Sequence, residues 1–94
     1  MNESAVKSSG NVFVDLGYSP EEAAILQMRA DLMASLRKFI KTRKLTQSEA
    51  AEMLGVSQSR ISDLTRGKWE KFSLEMLIIL ATKAGMRVTL KTAA

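Results

Sequence analysis

The sequence predicts an all-α bundle of about five helices, closed by one short C-terminal β-strand. Three observations lead there. Two short apolar-periodic segments meet at a Gly-Val pair inside Thr46–Gly67, TQSEAAEMLGVSQSRISDLTRG. A longer segment, from Pro20 to about Lys44, puts Leu32, Leu36, Phe39 and Ile40 on one stripe at helical spacing. A third apolar run lies between Ser73 and Gly85, and Met86–Leu90 beyond it alternates with period two.

Thr46–Gly67 organises the rest. Its first helix carries Ala50, Ala51, Met53 and Leu54, and its second carries Ile61 and Leu64. Ala51 is small, so the second helix can approach closely. Gly55 can take the positive φ that ends the first helix, and Val56, Ile61 and Leu64 then face one core. Thr46 with Glu49 three residues on reads as a capping box. Ser57 caps the second helix, whose third position is Arg60 and not an acid. The positive pole of that helix is left unneutralised, as docking on phosphate requires. Two crossing helices joined by such a turn make a helix-turn-helix, whose second helix enters the major groove of DNA.

The remaining elements follow in order. Residues 1–10 (MNESAVKSSG) are polar and small and are expected to be disordered. Residues 11–19 form an N-terminal arm. Within it, Asn11–Leu16 alternates Val12, Val14 and Leu16 against Phe13 and reads as a short strand or extended segment. The domain proper is expected over 20–94. Ser19-Pro20-Glu21-Glu22 is a strong helix start, with a capping box and Pro at the first helical position. A break near Gln27–Arg29 is left open, because the apolar stripe is clear only from Arg29 onward. Lys68–Phe72 is a loop whose Trp69 and Phe72 fold back on the core. Ser73 caps a last helix, Leu74–Ala84, with Leu74, Leu77, Ile78 and Ala81 inward. The strand Met86–Leu90 needs a partner: either its copy in a second subunit or the Asn11–Leu16 arm.

Composition narrows the function. Ninety-four residues suit one domain. The absence of Cys excludes disulfides and thiolate metal sites, and the absence of His removes the commonest general base, metal ligand and pH switch. No nucleophile–base pair or carboxylate cluster stands out, so neither an enzyme nor a bound cofactor or metal is expected. No apolar run is long enough to span a bilayer, and a cytoplasmic, nucleoid-associated location is expected. The net charge of +4 is unevenly spread. Residues 1–36 hold two bases against five acids, a net −3, and residues 37–94 hold twelve against five, a net +7. Such asymmetry suggests a polyanion for one part and a different partner for the other; the plainer alternative is a lopsided solvated surface.

Candidate DNA-reading side chains follow from position. Gln58 and Ser59 open the second helix, Ser62 lies one turn along, and Asp63 is close by. A Gln there can pair with both adenine N6 and N7, and an Asp can accept from a cytosine amino group. Gln47, Ser57, Arg60, Arg66, Lys68 and Arg43 are placed for phosphates, with Lys44 as a further base. The competing structural roles are plain: Ser57 caps regardless, Gln47 can be ordinary surface, and Trp69 and the methionines fit a core. Met86, Val88 and Leu90 are the candidate dimer contacts.

Gln47, Ala51, Gly55, Val56, Ser57, Ile61, Leu64 and Gly67 together resemble the lambda-repressor-like (XRE) helix-turn-helix pattern. NVFVDLGYSPEEA, MRADLMASLRKFIKTRKLTQ and FSLEMLIILATKAGMRVTL extend the likeness to single-domain XRE proteins of the HigA antitoxin type, over about Asn11–Leu90. The resemblance implies a lambda-repressor-like fold and a homodimeric repressor that binds an inverted-repeat operator in its own promoter. It also implies neutralisation of a small RelE- or HigB-like ribonuclease toxin, the antitoxin half of a type II toxin–antitoxin pair. By position it places Gln58 and Ser59 on bases and Gln47 on a phosphate. The alternative is a stand-alone XRE regulator with no toxin. One departure is visible. Many such repressors pair a Glu two residues before the closing Gly with an Arg of the first helix. Those positions here are Thr65 and Ile40, so that corner is expected to rest on apolar packing.

Overall fold

The computed structural model describes residues 11–93; the disorder expected for 1–10 lies outside them. Five helices run in order: α1 (Val12–Asp15), α2 (Pro20–Thr42), α3 (Gln47–Leu54), α4 (Gln58–Thr65) and α5 (Leu74–Lys83), with a 3-10 turn at Trp69–Lys71 between the last two. No strand occurs among the described residues.

The spine is α2, 23 residues long and so roughly 35 Å at 1.5 Å per residue. Its start is the expected capping box: Glu22 N–H donates to Ser19 Oγ at 3.2 Å, and Ser19 N–H to Glu22 Oε1 at 3.4 Å. No break occurs near Gln27–Arg29; Gln27 Nε2 donates to Asp31 Oδ1 at 2.9 Å across one turn of continuous helix. The helix stops at Thr42 because Lys44 turns left-handed, at φ 55°, and Leu45 N–H closes back on the Ile40 carbonyl at 3.0 Å. Glycine is the usual residue for that conformation.

Two apolar clusters form. The larger joins α2 (Met33, Leu36, Ile40), α3 (Ala50, Ala51, Leu54), α4 (Ile61, Leu64) and α5 (Leu77, Leu80, Ala81), with Phe72 buried among them. The smaller is Phe13, Ala23 and Leu26. Trp69 is half-buried and touches both, meeting Phe13 edge-on at 6.0 Å. Trp69 and Phe72 therefore do fold back, and Trp69 ties α1 to the body.

Two expectations are corrected. Asn11–Leu16 is not extended: Val12–Asp15 is a single helical turn capped by Asn11, whose side chain accepts from Phe13 N–H at 2.9 Å and donates to the Ala23 carbonyl at 3.0 Å. Its alternation served to bury Phe13 alone. Met86–Leu90 is not a strand. Period-two alternation makes a strand only where a ladder partner exists, and the arm, one of the two partners expected, is helical. Met86 instead turns inward, its N–H donating to the Ala81 carbonyl at 2.9 Å, and packs beside the larger cluster. The corner at Thr65 and Ile40 is more than apolar. Ile40 is buried and Thr65 Oγ1 donates to the Ser62 carbonyl at 3.1 Å, but the guanidinium of Arg37 also lies against Gly67. A Cβ on Gly67 would stand 3.4 Å from Arg37 Nη1.

Two stability changes are expected, both read by urea denaturation. Leu64→Ala should cost about 3 kcal/mol, since the side chain is fully enclosed. Lys44→Gly should raise stability by about 1 kcal/mol, because it removes the left-handed Cβ clash.

Candidate nucleic-acid interface

The site is built by the turn between α3 and α4. Gly55 takes φ 71° as the C-cap of α3, and Val56 N–H closes on the Ala51 carbonyl at 3.0 Å. Thr46 and Glu49 make the expected capping box, with bonds of 3.0 and 2.8 Å. Ser57 caps α4 by accepting from Arg60 N–H at 3.1 Å. The first turn of α4 holds no acid, so its positive pole is free of a neutralising carboxylate.

The two faces of α4 are sharply divided. Ile61 and Leu64 are wholly enclosed. At 3.6 residues per turn Ser59, Ser62, Asp63 and Arg66 fall on the side away from them, with Gln58 at the helix start. Gln58, Ser59 and Arg66 are exposed; Ser62 and Asp63 are half-buried. The four expected base readers are thus brought together on one short helix. Asp63 is already engaged: Lys68 Nζ stands 4.0 Å from its Oδ1, and Lys68 N–H donates to its carbonyl at 3.0 Å. The pair is partly exposed and at the outer limit of ion-pair distance, so it contributes little on its own.

The expected phosphate set divides similarly. Gln47 is exposed at the first position of α3, and Ser57, Arg43 and Arg66 are exposed. Arg43 lies over the Phe39 ring at 4.7 Å, a cation–π contact. Arg60 departs from expectation. Its Nη1 donates to the Lys71 carbonyl at 3.0 Å and its guanidinium sits 5.4 Å from the Phe72 ring centroid. Arg60 ties α4 to the 3-10 turn. That partner is eleven residues away, beyond the reach of a local pattern.

Two further cations, neither among the expected phosphate-binding side chains, lie beside the helix-turn-helix. Arg37 of α2 lies beside Gly67, just past the end of α4, and Lys83 of α5 lies beside Gly55, at the end of α3; a Cβ on Gly55 would stand 3.0 Å from Lys83 Nζ. Each brings a positive charge near the C-terminal pole of a helix-turn-helix helix, where cations are favourable. The signal was a base at the correct helical position, indistinguishable in sequence from a solvated one.

The candidate dimer residues differ in exposure. Met86 is half-buried, whereas Val88 and Leu90 are exposed and line a groove of about 650 Å³ with Met28, Leu32, Leu74 and Ile78. Among the described residues no group of His, Cys, Asp or Glu could hold a metal ion, and no helix is long and apolar enough to cross a membrane.

A family model described as a helix-turn-helix domain matches residues 12–93, from α1 through the C-terminal tail. The match supports the XRE-like resemblance. No curated protein matches the chain.

Arg60 and Arg66 are expected to separate in their effects. Arg60→Met should lower stability by about 1 kcal/mol through loss of the Lys71 bond, leaving the salt dependence of DNA binding unchanged. Arg66→Met should leave stability unchanged and reduce the log–log salt slope by about one per bound subunit. Thermal melts and fluorescence anisotropy at several salt concentrations read the two quantities.

Proposed function

We propose that this chain, which belongs to the helix-turn-helix domain family, is a sequence-specific DNA-binding transcriptional repressor. One observation carries the reading: α4 is anchored by two enclosed side chains while Gln58 and Ser59 stand exposed at its unneutralised start. Nothing in the packing asks for those two polar residues. Gln58 and Ser59 read bases, with Ser62 beside them. Gln47, Ser57, Arg43 and Arg66 hold phosphates. The protein acts as a homodimer, with Val88 and Leu90 contributing to the contact, so that two copies of α4 lie about 34 Å apart on an inverted repeat. On this reading it is a binding module and not an enzyme.

We further propose that it is the antitoxin of a type II pair and that it neutralises a small ribonuclease. The likeness of its N-terminal third to the HigA type supports this, as does the acidic balance of that third against the basic remainder. The second reading, a regulator with no toxin, rests on the family match, which speaks for DNA binding and no more. Co-expression with the product of the adjacent reading frame separates them: a stable complex favours the antitoxin, and none favours the stand-alone regulator.

Selection of genomic fragments by the purified protein tests the repressor reading. A recurring inverted repeat is expected, bound roughly 10³-fold more weakly at 200 mM than at 50 mM salt. Gln58→Ala should relax preference at one base pair per half-site, by about 1–3 kcal/mol. A pool with no recurring sequence contradicts the reading.

A further inference from the structure

We propose that a depression on the N-terminal end of the molecule is the docking site for a small basic protein, entered by one large apolar side chain of that partner. The proposal rests on the antitoxin reading and names the surface it requires. The depression has a volume of about 310 Å³ and is lined by Tyr18, Glu22, Ile25, Leu26, Arg29 and Trp69.

Three independent features mark it. The first is exposed apolar surface. Tyr18 and Ile25 are 41% and 44% exposed, and both line the depression. Exposed apolar side chains gathered at one depression mark an interaction surface. Tyr18 and Ile25 form walls of the depression itself, with Leu26 and Trp69 beneath.

The second feature is an unmet hydrogen bond. Arg29 Nε is hidden from solvent and has no acceptor. Buried donors are nearly always bonded, so the occupant brings an acceptor as well as apolar bulk. A backbone carbonyl next to a large apolar side chain supplies both. The third is charge. Residues 11–31 carry Asp15, Glu21, Glu22 and Asp31 against Arg29, a net −3, while residues 32–93 carry a net +7. The net negative charge of this segment, with Glu22 on the wall of the depression, selects a basic protein. It disfavours a second copy of this chain, whose matching surface would be the basic half that carries α4.

The experiment uses the full chain and the product of the adjacent reading frame, with affinity measured by calorimetry at two salt concentrations. Ile25→Asp and Glu21→Lys are compared with Gln58→Ala, and circular dichroism shows that each variant is folded. Ile25→Asp is expected to weaken the complex at least tenfold, as for a central contact. Glu21→Lys should weaken it less and flatten its salt dependence, and Gln58→Ala should leave it unchanged. Both N-terminal variants should keep wild-type DNA affinity. A complex indifferent to Ile25→Asp overturns the proposed surface and leaves the antitoxin reading standing. Absence of any complex with the wild-type chain removes that reading and this proposal with it. Sedimentation of the free protein supplies the remaining arm: a homodimer dissolved by Ile25→Asp would make this face a self-contact and overturn the proposal.

Discussion

Two side chains, Ile61 and Leu64, are the buried residues of α4. Everything the molecule presents to a duplex depends on their burial. An eight-residue helix is too short to persist in water on its own. It exists here because α2, α3 and α5 enclose those two residues with Leu36, Leu54 and Leu77, and because Ser57 satisfies its first turn. With the apolar side committed to the core, the polar side has no choice of direction. The same constraint explains Gly55: a close crossing of α3 and α4 needs a left-handed residue at the turn.

The parts of this arrangement that were legible in the sequence are those set by neighbours three or four residues apart. Ser19 with Glu22 and Thr46 with Glu49 announce helix starts, because both halves of a capping box fall within one turn. Ser57, Gly55, Ile61 and Leu64 were readable for the same reason. What could not be read depended on residues distant in the chain. Arg60 reached the Lys71 carbonyl instead of staying free, and Arg37 came to lie over Gly67. Asn11 was a missed signal of a different kind. It is a good cap followed by too few residues to show helical periodicity, so Val12, Val14 and Leu16 read as a strand when one helical turn was enough to bury Phe13. Met86–Leu90 failed because alternation states which faces differ and not whether a ladder partner exists.

The molecule has two ends of opposite character. The N-terminal end is acidic and apolar, with its own small cluster of Phe13, Ala23 and Leu26. The other is basic and carries the helix-turn-helix. Trp69 packs on both clusters and follows α4 by four residues, so anything that moves α1 bears on the segment leaving α4.

The central claim is that the start of α4 lies in a major groove when DNA is bound, and the absence of cysteine makes it directly measurable. A unique thiol from Ser59→Cys, carrying an iron chelate, cleaves the selected duplex wherever that residue sits. The account expects cuts at fixed positions in each half-site, in the offset pattern of a major-groove source, and no cuts from the same chelate on Glu52→Cys. Cleavage from position 52 but not 59, or a minor-groove offset from 59, contradicts it.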